Sequence, residues 1–370
     1  MSFIPCDLLL PRHVTARKGA IFTLPHRVRP LGAKGILVHG RSLERSGLLS
    51  ALLADLPFGL EILPWCHRGG EPTVGDADTL RSAIKRERPA WIAAIGGGSV
   101  LDLAKAAAGL ADLPEESAHY LRHPQELTPS RLPLIAAPTT AGTGSEATVA
   151  AVLTDPGRGV KQSIRHPSYL PSQVILDPLL LRDLPPETRA ASGLDAFVQA
   201  YESLTSIHAT PFTRALAESA LVQISGSLLP FYRGDSDQAA PMLEASFTAG
   251  VALSHSRLGI IHGLAHPLGV RFRAAHGLVC ASCLPACLAF NREKVRDDLD
   301  RLKSLYDLDI AACVREWLPA MQIRSPFAGG TVQDREAFIR ETLASGSTQA
   351  NPRSPSSEDI QMLLDQILNP

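Results

Sequence analysis

The chain has 370 residues, 45% of them apolar, with 36 basic and 37 acidic side chains and a formal charge of −1. That length suggests about two domains, and the apolar content is ample for large cores. Such a charge balance gives no global electrostatic case for nucleic acid or an anionic membrane as partner, and no run of roughly 18 apolar residues offers a membrane span.

At the start, MSFIPCDLLLPRH is interrupted by Pro5, Asp7 and Pro11, so no signal-peptide apolar region is expected. The six cysteines are sparse for this length and do not resemble a secreted disulfide framework, which makes a reducing cytoplasm the expected setting. Short β-branched runs then alternate with helical patterns. Gly35-Ile36-Leu37-Val38 leads through His39-Gly40-Arg41-Ser42 into LERSGLLSALLADL, and Trp91-Ile92-Ala93-Ala94-Ile95 leads through Gly96-Gly97-Gly98-Ser99 into VLDLAKAAAGLA. Strand, glycine turn and helix in that order predict a mostly parallel sheet covered by helices.

The Gly96–Ser99 turn opens a helix, so its backbone N–H groups and the helix dipole suit a pyrophosphate with no side chain in the way. It is not GxGxxG, and GxxxxGK[ST] is absent, which argues against an ATPase-type phosphate loop. A further strand, Leu134–Ala137, ends in PTTAGTGSE, where Thr139, Thr140 and Thr143 offer hydroxyls to phosphate or ribose while Gly142 and Gly144 allow close backbone approach. Two such turns at the carboxyl ends of strands point to a nucleotide, because ligands of these sheets bind there.

Beyond Asp177-Pro178 the periodicity becomes helical, over roughly Glu187 to Leu204, Pro211 to Leu229, Met242 to Ser254 and Gly277 to Phe290. Thr210-Pro211 reads as a cap with proline at the first helical position. The division predicted is an α/β dinucleotide-binding domain over residues 1–178 and an all-α metal and substrate domain over 179–370. Asp195 and Gln199 share one helical face, and His266 recurs one turn after His262. Asp195, His262 and His276 together offer one carboxylate and two imidazoles, the donors a catalytic Fe(II) or Zn(II) takes. Cys280, Cys283 and Cys287, at i, i+3 and i+7 among small apolar residues, read as a buried helix face rather than a metal site. Arg271 and Arg273 read as a solvated pair, with a charged rim for an anionic substrate as the alternative. SGSTQANPRSPSSED, from Ser345 to Asp359, reads as a surface loop before a final helix.

GGGSVLDLAK, PTTAGTGSEAT, LDPLLL, SGLDA and HGLAHPLGVRFRAAHG, in this order and approximate spacing, resemble the group III metal-dependent, or iron-containing, alcohol dehydrogenases from about Gly35 to the C-terminal NPRSPSSEDI. The resemblance implies a dehydroquinate synthase-like architecture and hydride transfer between NAD(P)(H) and a small alcohol, aldehyde or ketone. It implies that Gly97, Gly98 and Ser99 touch the pyrophosphate, that Asp102 supports that turn, that Thr139 and Thr140 flank the cofactor and that Lys161 approaches the nicotinamide ribose. By the same resemblance a metal is held by Asp195, His262 and His276, with Gln199 where family members usually carry histidine, a place from which an amide coordinates weakly, acts through a water or only hydrogen-bonds to a ligand. The resemblance favours Fe(II), and the poorer amide donor raises Zn(II). His266, one turn from His262, would stand near the reacting oxygen, where a histidine can pass a proton between substrate alkoxide and solvent, with a satisfied core histidine as the alternative.

Many NAD-preferring members carry an aspartate where this chain has Gly40, followed by Arg41 and Ser42. Losing that carboxylate and gaining a guanidinium favours NADP(H). Within oxidoreductases, maleylacetate reductase-like chemistry is an alternative. Outside them stand a dehydroquinate synthase-like lyase or cyclase, which should gather basic side chains around a phosphorylated substrate, and a metal-free, non-catalytic homologue. The resemblance also implies a homodimer acting on small molecules.

Overall fold

The computed structural model describes residues 2–327 and 329–369, which divide into two compact units. One comprises Leu9–Leu184, the other Ser2–Leu8 with Pro185–Asn369. The division therefore falls at Leu184, not after Pro178, because the turn Pro178–Leu181 is still tied to the first unit: Asp177 accepts hydrogen bonds from the N–H groups of Gly19 and Ile21 as well as Leu179. The first residues belong with the helices, where the Phe3 carbonyl accepts from the Phe212 N–H.

The first unit is built on a six-stranded, all-parallel sheet of β1 (His13–Ala16), β2 (Lys34–Gly40), β3 (Glu61–His67), β4 (Trp91–Gly96), β5 (Leu134–Pro138) and, after two further strands, β8 (Gln173–Leu176). The spatial order is β1-β8-β5-β4-β2-β3. Every residue of β4 and β5 is buried, as expected of central parallel strands covered on both faces. The helices Val74–Glu87 and Gly98–Gly109 carry alanine and leucine against Ile36, Val38, Ile92 and Leu134 in one core.

Not anticipated was a separate antiparallel ribbon of β6 (Ala150–Asp155) and β7 (Val160–Arg165), in which Thr154 stands opposite Lys161. What positions the site is the register of β4 on β5, which pairs Gly96 with Pro138 and sets the two glycine-rich turns side by side.

The second unit contains no strand among the described residues. The predicted helices are Pro186–Thr205, Pro211–Tyr232, Ala239–Ser256 and His276–Asn291, with Ile260–Phe272 between the last two. Thr210 caps its helix in a reciprocal capping box with Thr213, with Pro211 at the first position. The Pro186–Thr205 helix is buried from Gly193 through Thr205 and forms the centre of the unit.

Gly277 lies so close to it that an added Cβ would sit 2.2 Å from the Ala191 carbonyl oxygen. Only glycine lets the first turn of His276–Asn291 approach that backbone, and the approach carries His276 towards Asp195, one turn beyond Ala191.

Candidate metal centre and dinucleotide turns

Asp195, His262 and His276 converge as predicted. Asp195 Oδ1 stands 3.4 Å from His262 Nε2 and 3.8 Å from His276 Nε2. Asp195 and His262 are each 2% exposed, whereas the His276 side chain retains 21%. Asp195 Oδ1 is buried and accepts no hydrogen bond, a costly arrangement for a carboxylate unless something positive meets it. A divalent cation is the group that this donor set fits.

Gln199 meets Asp195 instead of completing a third imidazole. Its Nε2 donates to Asp195 Oδ2 at 3.1 Å, one helical turn away, and its Oε1 is buried without a partner. His266 lies beside the cluster, its ring stacked on that of His276 at 5.3 Å between centroids.

Two residues of this centre escaped the sequence reading. Glu202, 2% exposed, accepts from the Ile261 N–H through Oε1 and holds His262 Nδ1 at 2.6 Å through Oε2. Its carboxylate thus sits at the N-terminus of the Ile260–Phe272 helix, where the dipole favours negative charge. The signal was present in the spacing: Asp195, Gln199 and Glu202 fall at i, i+4 and i+7, one face of one helix.

The other is Cys280, predicted as core together with Cys283 and Cys287. All three are fully buried, but Cys280 Sγ also stands 3.9 Å from His262 Nε2 and 3.7 Å from His276 Nε2. Its position four residues after His276 was the available clue. Burial pushes its thiol up to about 11 against the pull of His262. The His262 ring is itself held well above its usual pKa: burial opposes its charge, but Cys280, Glu202 and Asp195 outweigh that. Among the described residues, the ion pairs of Asp195 and Glu202 are with histidines alone.

The loop predicted over Ser345–Asp359 is not wholly at the surface. It contains the short helix Gly346–Gln349, and Asn351 is buried, accepting from the Ile260 N–H and exchanging two hydrogen bonds with Asn291. That segment secures the helix that presents His262. Arg271, read as solvated or rim-forming, is bound by Asp334 and Glu341, so its charge is already answered.

In the first unit the Gly98–Gly109 helix begins at Gly97 with no side-chain cap and no acid in its first turn, leaving its N-terminal dipole unopposed. A Cβ on Gly98 would lie 2.6 Å from Thr143 Cγ2, so this glycine serves the packing of the two turns as well as access for a ligand.

Asp102 links the turns from behind, accepting from Ser145 Oγ at 2.5 Å and from the Val152 N–H at 3.2 Å. Lys105 Nζ, also buried, donates to the Ser145 carbonyl. Thr139 is buried at the end of β5, its N–H bonded to the Gly96 carbonyl, while Thr140 packs near Gly97. Lys161 on β7 pairs with Glu71 at 2.9 Å. Gly40 closes β2, with Arg41 exposed and Ser42 following.

Residues 11–178 match the iron-containing alcohol dehydrogenase family, and residues 189–368 match the C-terminal region of the Fe-containing alcohol dehydrogenase family. The chain is 34% identical over 354 residues to the probable alcohol dehydrogenase EutG of Escherichia coli K12, covering 92% of this chain and 89% of that one. It is 27% identical to the NADPH-dependent butanol dehydrogenase of Clostridium saccharobutylicum, covering 97% of each. The iron-containing alcohol dehydrogenase structure from Thermococcus thioreducens superposes with a TM-score of 0.87 at 27% identity, over 98% of this chain and all of that one. The chain belongs to the iron-containing alcohol dehydrogenase family, whose members are metal-dependent oxidoreductases that interconvert alcohols and carbonyl compounds with a nicotinamide cofactor.

Proposed function

We propose that this protein interconverts a small alcohol with its aldehyde or ketone, with NADP(H) preferred to NAD(H) and a divalent cation held by Asp195, His262 and His276. The observation that carries the reading is a buried carboxylate oxygen with no hydrogen bond, facing two imidazole nitrogens at 3.4 and 3.8 Å. When bound, Fe(II) or Zn(II) supplies Lewis acidity towards an alcohol or carbonyl oxygen. Gln199 orients Asp195 through its amide N–H, and Glu202 fixes the His262 ring so that Nε2 faces the other donors. His266, stacked on His276, passes a proton between the reacting oxygen and solvent.

Gly97, Gly98 and Ser99 receive the pyrophosphate at the uncapped helix N-terminus, with Thr139, Thr140 and Thr143 alongside and Asp102 bracing both turns from behind. Lys161 reaches the nicotinamide ribose after exchanging Glu71 for it. Gly40, Arg41 and Ser42 receive the 2′-phosphate, a reading supported by the missing carboxylate at Gly40 and by the NADPH dependence named for the clostridial relative. A reducing compartment rests on the sparse cysteines, whose spacing does not resemble a secreted disulfide framework. No described helix is long and apolar enough to cross a membrane. A homodimer rests on the family resemblance and is checked by light scattering.

The test is oxidation of NADPH or NADH with a panel of small aldehydes, with product analysis to separate an alcohol from the saturated acid of a maleylacetate reductase-like reaction. Metal content of anaerobically purified protein is measured alongside. His276→Ala should lose both bound metal and turnover while keeping cofactor affinity; full activity in that variant refutes the assigned ligand.

A further inference from the structure

Four donor atoms, one each from Asp195, His262, His276 and Cys280, lie within 4.8 Å of one another. Around a tetrahedral ion with bonds of about 2.0–2.3 Å, neighbouring donors stand about 3.3–3.8 Å apart. The distances here are 3.4 Å between Asp195 Oδ1 and His262 Nε2, 3.8 Å between Asp195 Oδ1 and His276 Nε2, and 3.9 and 3.7 Å from Cys280 Sγ to the two ring nitrogens. Those four spacings are close to edges of one coordination polyhedron, and the remaining two pairs lie within 4.8 Å. Asp195 Oδ1, buried and without a hydrogen bond, marks the point on which the set converges.

Gln199 Oε1 is buried without a hydrogen bond and, as a neutral amide oxygen, is the competing and poorer donor. The Gln199 N–H group donates to Asp195 Oδ2, so one side of the amide steadies a donor. We infer that Cys280 supplies the fourth donor of this centre as a thiolate, in compensation for glutamine at position 199, and that the resulting carboxylate, two-imidazole and thiolate set favours Zn(II) over Fe(II). The inference rests on the metal centre proposed above and adds to it a ligand and a metal preference. On binding, the sulfur–cation bond forms as the S–H bond breaks, and the proton leaves to solvent with no change of oxidation state. A soft sulfur donor added to imidazole nitrogens moves the site towards zinc, and with four protein donors a substrate oxygen would have to join as a fifth ligand or displace one of them.

The test is Co(II) substitution of the full-length apoprotein, followed by absorption spectroscopy. Wild type should show a near-ultraviolet sulfur-to-cobalt charge-transfer band at one cobalt per chain. Cys280→Ser and Cys280→Ala should lose that band and bind Zn(II) at least about tenfold more weakly, as expected from loss of one charged donor. Cys283→Ser, in the same buried helix, should keep the band and so controls for general disturbance of the fold. Gln199→His in the Cys280→Ser background should restore tight binding without restoring the band.

Tight cobalt binding by wild type with no sulfur band overturns the role of Cys280 and leaves the Asp195, His262 and His276 centre standing. Retention that depends on Gln199, falling in Gln199→Ala but not in Cys280→Ser, overturns it in favour of the amide. Failure of wild type to bind any divalent cation overturns both the thiolate and the centre itself.

Discussion

Glu202 holds His262 by a 2.6 Å contact to Nδ1, buried, with its other oxygen on the N–H of Ile261. One carboxylate therefore fixes both the helix that presents the histidine and the ring nitrogen left for other work, since with Nδ1–H held by Glu202 the proton given up when a cation binds is the one on Nε2. Glu202→Gln keeps the shape but removes the charge and one acceptor. Metal retention, measured by competition with a chromophoric chelator, should weaken about 10- to 100-fold, with turnover falling in parallel and cofactor affinity unmoved. Unchanged retention would reduce Glu202 to a helix cap.

The two glycine-rich turns touch at Gly98 and Thr143. Gly98→Ala places a methyl group 2.6 Å from Thr143 Cγ2 and 2.8 Å from its Oγ1. The turns must part, at a cost of about 1–3 kcal/mol, and the dinucleotide should bind more weakly. Thr143→Ala removes both atoms, so the double variant should recover part of the lost thermal stability. Strict additivity of the two single effects would mean that these residues do not press on each other.

At the end of β2, an added Cβ on Gly40 would meet nothing nearer than Val100 Cγ2 at 3.6 Å. The position therefore admits a Cβ without a clash, and an aspartate carboxylate there would accept ribose hydroxyls while repelling a 2′-phosphate. Gly40→Asp should shift the ratio of kcat/KM for NADPH and NADH towards NADH by about tenfold or more, and Arg41→Ala should weaken NADPH selectively. Equal loss with both cofactors would remove position 40 from cofactor choice.

Much of this arrangement was legible in the sequence because its signals are local. Strand, glycine turn and helix follow one another within a few residues, and Asp195 with Gln199, or His262 with His266, sit one turn apart on single helices. Relations across the chain were less visible. That Asn351 and Glu202 both bind the start of the Ile260–Phe272 helix depends on packing between segments far apart in sequence. Cys280 is a small residue on an apolar face and reads as core by composition; only the approach of Gly277 to Ala191 turns that helix towards Asp195. The β6 and β7 ribbon was missed because its residues show alternation too weak to outweigh the surrounding turns.

Glu146, at the end of the second glycine-rich turn, is buried with Oε1 lacking a hydrogen bond. Burial pushes its carboxyl up to about 7, with Lys105 pulling the other way. The unfolded carboxyl titrates near its ordinary value of 4.5, so between there and about 7 the folded chain holds the extra proton. Stability from this group is complete below the unfolded value and is lost as pH rises through the folded one. The span between 4.5 and about 7 corresponds to an effect on the order of 3 kcal/mol. Lys105, whose charge burial disfavours, contributes the opposite slope, so the comparison must be between variant and wild type. Glu146→Gln should melt above wild type at about pH 8 and close to it at about pH 5, as followed by thermal unfolding. A difference that does not change with pH would mean that Glu146 keeps its charge in the folded protein, held by Lys105 more strongly than burial opposes it.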